Sequence, residues 1–114
     1  MAQKNKGCNF QQRKGPFHSL GKVKSLVKAG RIRIREQALE TARRDFAWDM
    51  SDILAALKKF QPKHYHKTDP AYSSETKIPI DFYKASGLMG EDVYSHLYID
   101  TEENLLIVDS FKRI

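Results

Sequence analysis

The sequence predicts an α+β fold, with N-terminal helices packed on one face of a C-terminal antiparallel sheet. Apolar residues recur at helical spacing over residues 19–60. After Pro62 the period of the apolar residues changes to two, which is typical of half-buried strands. Because the helices precede the strands instead of alternating with them, we expect a sheet that is covered by helices on one side.

The composition is that of a single globular domain. A chain of 114 residues with 40% hydrophobic and 30% charged residues can bury a core of its own. Residues 1–15 have almost no apolar content and are predicted to be a flexible basic tail before one domain over residues 16–114. No apolar run approaches the ~20 residues of a membrane span. The single cysteine, Cys8, cannot form an internal disulfide, which favours a cytoplasmic location.

Positive charge is concentrated at the N-terminal end of the chain. The net charge is +6, and residues 1–35 contain ten Lys or Arg and no acidic residue. The remaining 79 residues carry ten basic and fourteen acidic side chains. This asymmetry favours an anionic partner, because neutralising phosphates releases their condensed counterions. The alternative is that Lys and Arg merely solvate a helix and a tail.

Three helices are predicted before Pro62. Ser19 caps the first helix, Gly30 ends it, and its apolar face consists of Leu20, Val23, Leu26 and Val27. Residues 36–44 are strong helix formers. Asp49 is the candidate cap of the third helix, which Pro62 prevents from continuing.

The predicted extended segments are residues 31–35, 64–68, 77–84, 92–99 and 105–111. The first, RIRIR, is either a short strand or an extended link. Pro79 has no N–H to donate, so its segment is expected at a sheet edge or at a bulge. Asp69-Pro70 is expected to begin a polar turn. The last segment is the most apolar, which favours a central position in the sheet.

An aromatic and cationic face is the strongest candidate for chemistry. Tyr94, His96 and Tyr98 share one side of the predicted strand 92–99, and Lys67 and Lys112 close two other strands. Rings can stack on unpaired bases while lysine holds phosphate. Such groups can also cleave RNA without metal: a base deprotonates the 2′-hydroxyl, cations stabilise the pentacoordinate phosphate, and an acid protonates the leaving 5′-oxygen. Alternatively, the tyrosines cover a sheet edge and the lysines keep the protein soluble.

Metal and cofactor sites are not predicted. His64 and His66 have the spacing of neighbours on one face of a strand, but zinc needs three or four ligands and the other histidines are only His18 and His96. The chain has no HExxH, paired CxxC, GxxxxGK[ST] or GxSxG motif. The histidines are therefore interpreted as surface or RNA-facing groups.

Three segments together resemble one known family. The run HSLGKVKSLVKAGRIR, residues 18–33, resembles the N-terminal signature of the MqsR toxin family, PHxxLxxVKxLVxAGxVR. The segment YHKT at residues 65–68 is similar to that family's FYKS, and LIVDSFK at residues 106–112 is similar to its LIVSFK ending. Relative to these patterns the chain carries two extra residues, Phe17 and Asp109.

The resemblance covers roughly residues 16–114 and implies a RelE-like fold. It implies a bacterial type II toxin that is a ribosome-independent mRNA interferase, works without metal or cofactor and is neutralised by a co-encoded antitoxin. Its partners would be mRNA and that antitoxin, with no membrane involved and the oligomeric state left open. Lys67 and Lys112 match two catalytic lysines of the family, and Tyr94 matches its active-site tyrosine.

One family position differs in this chain. The family segment WQDVY corresponds to PIDFY, residues 79–83, so that Ile80 stands where the family has a catalytic glutamine. Tyr83, at the end of this segment, is counted among the catalytic candidates. His66 or His96 is a candidate general base in place of the glutamine, since imidazole titrates near neutral pH.

The predicted function is therefore metal-independent cleavage of single-stranded mRNA by a toxin, with a 2′,3′-cyclic phosphate product. The candidate RNA-binding residues are Lys22, Lys24, Arg31, Arg33 and Tyr98. One alternative is a catalytically inactive module on the same fold that binds RNA or the ribosome. Another is a regulator whose basic surface docks on an acidic protein.

Overall fold

The computed structural model describes residues 15–69 and 78–114. The predicted tail lies outside the described residues except for Gly15, and so does Pro70 of the predicted turn. In the described ranges the helices are α1 (Leu20–Lys28), α2 (Glu36–Phe46) and α3 (Met50–Lys58), and a short 3₁₀ turn spans Pro62–His64. The strands are β1 (Ile32–Ile34), β2 (Tyr65–Asp69), β3 (Ile80–Leu88), β4 (Glu91–Asp100) and β5 (Leu105–Arg113). The α+β prediction is confirmed, and the arrangement is consistent with a RelE-like fold.

Local capping explains where the helices begin and end. The Ser19 hydroxyl accepts a hydrogen bond from the Lys22 N–H at 3.1 Å, and Gly30 follows α1 with φ at 74°. Asp49 and Asp52 form a reciprocal capping box at the start of α3. The predicted caps are therefore confirmed, and α2 runs two residues further than predicted, to Phe46.

The strand order in the sheet is β1-β5-β4-β3-β2. Strands β2 to β5 are antiparallel, as predicted, whereas β1 pairs parallel with β5 and makes the sheet mixed. The expectation that Pro79 marks an edge or a bulge is wrong. Pro79 precedes the first residue of β3, an interior strand, so its missing N–H interrupts no ladder hydrogen bond. The apolar strand β5 is interior, next to the central strand β4.

The two faces of the sheet have different surroundings. The described helices pack on one face, where the main core includes the fully buried Phe60, Tyr83, Leu97 and Phe111. The opposite face carries a smaller apolar cluster, formed by Ile80, Phe82, Tyr98 and Ile107. We call this second surface the open face. Strand alternation assigns side chains to one face or the other.

A β-bulge at Asp109 controls the alternation in β5. His96 pairs with Ser110, but the next residue of β4, Leu97, pairs with Val108, so Asp109 is the extra residue. Val108 and Phe111 both lie in the main core although they are three residues apart. The bulge thus accommodates the residue that the family pattern lacks and leaves Lys112 on the open face.

A second irregularity places the residues of β2. Tyr65 pairs with Tyr83 and Lys67 pairs with Phe82, so that His66 is the extra residue between two regular pairs. Tyr65 packs against the main core, whereas Lys67 reaches over the Phe82 ring on the open face. The bulge therefore points Lys67 away from the helices.

The buried carboxylate of Asp81 attaches the N-terminal segment to the sheet. Its two oxygens accept hydrogen bonds from the backbone N–H groups of Phe17, at 2.9 Å, and His18, at 2.8 Å. The Thr68 hydroxyl donates a further hydrogen bond to it. The His18 ring donates from Nε2 to the Pro79 carbonyl at 2.7 Å. The two backbone N–H groups and the Thr68 hydroxyl thus satisfy a carboxylate that would otherwise be costly to bury.

Candidate active site

Three aromatic rings on the open face form a row between two lysines. The Lys67 ammonium lies 5.0 Å from the centre of the Phe82 ring, and that ring stacks on His96 with centroids 4.8 Å apart. The His96 and Tyr94 rings meet edge to face at 6.0 Å. At the other end the Lys112 ammonium lies 5.5 Å from the centre of the Tyr94 ring. We call these five residues the lysine–aromatic row.

The register of the sheet explains why these side chains meet. Lys67, Phe82 and His96 are cross-strand neighbours on β2, β3 and β4. Tyr94 is paired with Lys112 on β5. Residues that face each other on one side of an antiparallel sheet have Cβ atoms about 5 Å apart. Four predicted catalytic residues are thus brought onto one surface: Lys67, Tyr94, His96 and Lys112.

His96 has the electrostatic environment of a neutral imidazole. Burial lowers the pKa of His96 and the Lys112 ammonium acts in the same direction, whereas Asp109 and Asp69 act against them. Its Nδ1 atom is buried and has no hydrogen-bond partner among the described residues, which is unusual for a polar atom. Because its pKa lies below the usual 6.5, the ring is mostly uncharged at pH 7 and can accept a proton.

His66 and His64 do not converge on a metal ion. His66 is exposed on the β2 bulge, and desolvation followed by Lys84 and Lys67 lowers its pKa. His64 is buried in the 3₁₀ turn, where its Nδ1 accepts a hydrogen bond from the Gln61 N–H at 3.0 Å. Over residues 15–69 and 78–114 there is no group of three or more His, Cys, Asp or Glu side chains that could hold a metal.

Two of the predicted site residues, Tyr83 and Tyr98, are buried in the protein. Tyr83 is fully buried on the helix side, where its ring stacks on Phe60 at 5.0 Å and burial strongly raises its pKa. This position contradicts a catalytic role for Tyr83, because Phe82 and Tyr83 are adjacent and point to opposite faces. Tyr98 is only 4% exposed within the apolar cluster, and its hydroxyl accepts a hydrogen bond from Arg35 at 3.2 Å. No ring face of Tyr98 is left for stacking on a base.

The predicted basic RNA-binding residues are spread over the protein. Arg31 donates hydrogen bonds to the carbonyls of Glu103, at 2.6 Å, and Asn104, at 3.3 Å, and so supports the β4–β5 turn. Arg33 projects from β1 to the open face, because its two neighbours in β1 pack in the main core. Lys22 and Lys24 belong to α1 and lie on the helix side. They do not form one patch with the lysine–aromatic row.

Lys84 is a candidate that the sequence reasoning missed. It is exposed beside the row, where it pairs with Tyr94 across β3 and β4. It lines a cavity of about 330 Å³ together with Tyr94, Lys112, Arg113 and Ile114. The alternation of residues 80–84 contained the signal, since it places Lys84 on the same face as Ile80 and Phe82.

The position of the family's glutamine is apolar in this chain. Ile80 is 2% exposed and belongs to the apolar cluster of the open face. An aliphatic side chain can neither donate nor accept a proton. Ile80 therefore supplies no group for acid–base chemistry, and the nearest candidates of that kind by sequence reasoning are His96 in the row and His66 on the β2 bulge.

Comparison with known proteins identifies the family. The family model described as "Motility quorum-sensing regulator, toxin of MqsA" matches residues 15–113. No curated protein gives a significant match. The longest described helix has 11 residues, and none of the described helices is a candidate membrane span. The chain therefore belongs to the MqsR family of motility quorum-sensing regulators, the toxins of toxin–antitoxin systems in which MqsA is the antitoxin.

Proposed function

We propose that this toxin is an endoribonuclease that cleaves single-stranded mRNA without a metal ion, with the lysine–aromatic row as its active site. The observation that carries the proposal is the position of a neutral imidazole, His96, in a row that ends in an ammonium group on each side. Base, cations and hydroxyl are the groups that transphosphorylation of RNA requires. Membership of a toxin family is consistent with this activity.

In the proposed reaction His96 removes the proton of a ribose 2′-hydroxyl. The 2′-oxygen then bonds to the adjacent phosphorus while the bond from phosphorus to the 5′-oxygen breaks. Lys67 and Lys112 stabilise the charge that develops on the phosphoryl oxygens. The Tyr94 hydroxyl donates a proton to the leaving 5′-oxygen. The products are a 2′,3′-cyclic phosphate and a 5′-hydroxyl. His96 takes one proton and Tyr94 gives one.

His96 is a better candidate for the base than His66. Both imidazoles have a lowered pKa and are neutral at pH 7. His96 contacts Phe82 and Tyr94 within the row, whereas His66 is exposed on the bulge beside Lys84. We therefore assign proton removal to His96 and a supporting role at the phosphate to His66.

The substrate is expected to be single-stranded because the face offers rings and ammonium groups together. Tyr94 is partly exposed and can stack on an unpaired base, while Lys84 and Lys112 lie beside it and can hold phosphates. In a duplex the bases are already stacked on one another and cannot reach such a ring.

Cleavage of a long unstructured RNA by the purified protein in EDTA tests the proposal. We expect the parent to cleave, and Lys67→Ala and Lys112→Ala each to lose about 10²-fold or more in kcat/KM. Lys28→Ala is the matched control, since Lys28 is an exposed lysine at the end of α1 on the helix side. A product with a 5′-phosphate would exclude the mechanism.

One observation favours a second function, an inactive module that binds RNA or the ribosome. Ile80 fills the glutamine position with a buried aliphatic side chain. If the parent binds RNA but leaves it intact in EDTA and also with Mg²⁺, the binding module replaces the enzyme. Expression without the antitoxin separates the two functions further: an active enzyme arrests growth, and Lys67→Ala or Lys112→Ala relieves the arrest.

A further inference from the structure

A cationic cavity lies on the helix side, at the end of the sheet where β2 begins and β3 ends. Its volume is about 390 Å³. It is open to solvent and is bordered by the C-terminal end of α3, by α1, by the 3₁₀ turn and by the β3–β4 connection. The residues that line it are Lys24, Lys58, Lys59, Gln61, Lys63, His64 and residues 86–89.

The charge of this cavity is uncompensated. Of the described residues that line it, four are lysines and none is acidic. In the described part of the chain none of the four lysines forms an ion pair. The dipole of α3 favours Lys58 and Lys59 at its end, but Lys24 and Lys63 belong to other elements, so the dipole does not explain why all four converge. A concave site with one sign of charge attracts ions of the opposite sign.

His64, which lines the same cavity, carries a hydrogen-bond donor on its ring. Its ring is only 8% exposed, and Nδ1 accepts a hydrogen bond from the Gln61 N–H. The neutral ring therefore carries its proton on Nε2, which makes that nitrogen a donor. Burial, Lys63 and Lys24 lower the pKa of His64, so the ring can donate without adding a further charge.

Positive and polar residues lie between the open face and this cavity. Lys84 lies on the open face, and Ser86, two residues further along β3, lines the cavity. Two residues of a strand span about 7 Å. His66 lies close enough to Lys84 for that ammonium to lower its pKa, and Lys63 precedes it on the way to the cavity. Positive and polar groups thus follow one path from the row to the cavity.

We infer that this cavity is a second phosphate-binding site, which holds a backbone phosphate of the RNA strand beyond the linkage that is cleaved. The inference rests on the proposed function for its substrate class. RNA is favoured over an acidic protein surface, because a strand that leaves the row meets His66 and Lys84 before it reaches the cavity. The site contributes affinity for long RNA and takes no part in bond breaking.

RNA binding measured by fluorescence anisotropy tests the inference. Every protein carries Lys112→Ala so that cleavage does not interfere. The test variant combines Lys58→Ala and Lys63→Ala, and the control combines Lys28→Ala and Arg43→Ala, which removes two charges from exposed positions outside the cavity. The probes are an unstructured RNA of twenty nucleotides and one of four. Thermal melting verifies that each variant is folded.

We expect the test variant to bind the long RNA about tenfold more weakly, and the short RNA as the control does. The slope of log Kd against log salt should fall by about 0.7 for each phosphate contact that is lost from a single strand. Equal slopes in the test and control variants would overturn the inference. So would absence of RNA binding by the parent, or loss of MqsA binding with RNA binding unchanged, which would assign the cavity to the antitoxin.

Failure of the second phosphate site can be distinguished from failure of the proposed enzymatic function. If the protein with Lys112 intact fails to cleave RNA, the enzymatic proposal fails, while the salt slopes still decide whether the cavity binds a phosphate. If the intact protein cleaves and the slopes are equal, the active site stands and the second phosphate site does not.

Discussion

The pH dependence of RNA cleavage depends on His96, and Asp109 provides a way to shift it. Burial and Lys112 lower the pKa of His96, whereas Asp109 raises it. If neutral His96 is the base, kcat/KM should rise with pH and level off above a pKa that lies below 6.5. Below that pKa the rate should fall tenfold per pH unit, because the protonated imidazole cannot accept the proton of the 2′-hydroxyl.

The perturbation is Asp109→Asn, which removes a negative charge without shortening the side chain. Because Asp109 favours the charged imidazole, its loss should move the acid limb of the profile to lower pH, while the plateau above pH 7 stays within about twofold. The ion pair of Asp109 with Arg35, at 2.9 Å, is partly exposed and contributes about 0–1 kcal/mol to stability, so the variant should remain folded.

The variant His96→Ala measures how much the imidazole of His96 contributes to the cleavage rate. General base catalysis is typically worth about 10²–10⁴-fold. In His96→Ala the two lysines of the row remain to stabilise the phosphorane, so we expect a loss near the lower end, about 10²-fold, together with loss of the acid limb. The assay is initial-rate cleavage of an unstructured RNA between pH 5 and 8 at constant ionic strength.

His66→Ala is the comparison variant for the acid limb, which it should retain, since His66 also has a lowered pKa but is assigned no proton transfer. An acid limb that moves to higher pH in Asp109→Asn, or one that persists in His96→Ala and disappears in His66→Ala, would refute the assignment. An NMR titration of the His96 ring measures the same pKa without the reaction.

Three further predictions follow from particular contacts. Ile80→Gln in a His96→Ala protein should raise the cleavage rate, because it restores a polar group at the glutamine position. An unchanged rate would show that the position has no role here. Asp81→Ala should lower the free energy of unfolding by about 3–5 kcal/mol, since three donors lose their buried acceptor. Urea denaturation measures this, with the partly exposed Asp109→Ala, at about 0–1 kcal/mol, as control. Deletion of Asp109 should remove the bulge and leave Lys112 on the open face, so that cleavage persists; a 10²-fold loss would show that the bulge itself positions the lysine.

Much of the fold was readable from local patterns. The Ser19 and Asp49 caps and the stop at Gly30 act within a few residues, so the helices were predicted with nearly correct bounds. Alternation in residues 92–99 placed Tyr94 and His96 on one face and the core residues on the other, as the structure shows. Such patterns depend only on the geometry of one helix or strand.

The candidate site was less predictable, because the choice of face depends on register. Lys67 and Lys112 were identified through the family resemblance, whereas their place on the open face follows from the strand pairing, in which bulges at His66 and Asp109 each absorb one extra residue. Tyr83 was predicted to be catalytic, but it follows Phe82 directly in β3 and therefore lies on the helix side of the sheet, opposite the open face. A one-residue slip in register exchanges the two faces.

By itself the sequence determined the order of helices and strands, the caps, and the residue types of a lysine–aromatic face. Only the tertiary structure decided that β1 joins the sheet as a parallel edge strand, that Asp81 holds residues 17 and 18, and that lysines from three separate elements share one cavity. The physical reason is distance along the chain. Caps and alternation are set by neighbouring residues, whereas these contacts join residues many positions apart, whose pairing depends on how the whole core packs.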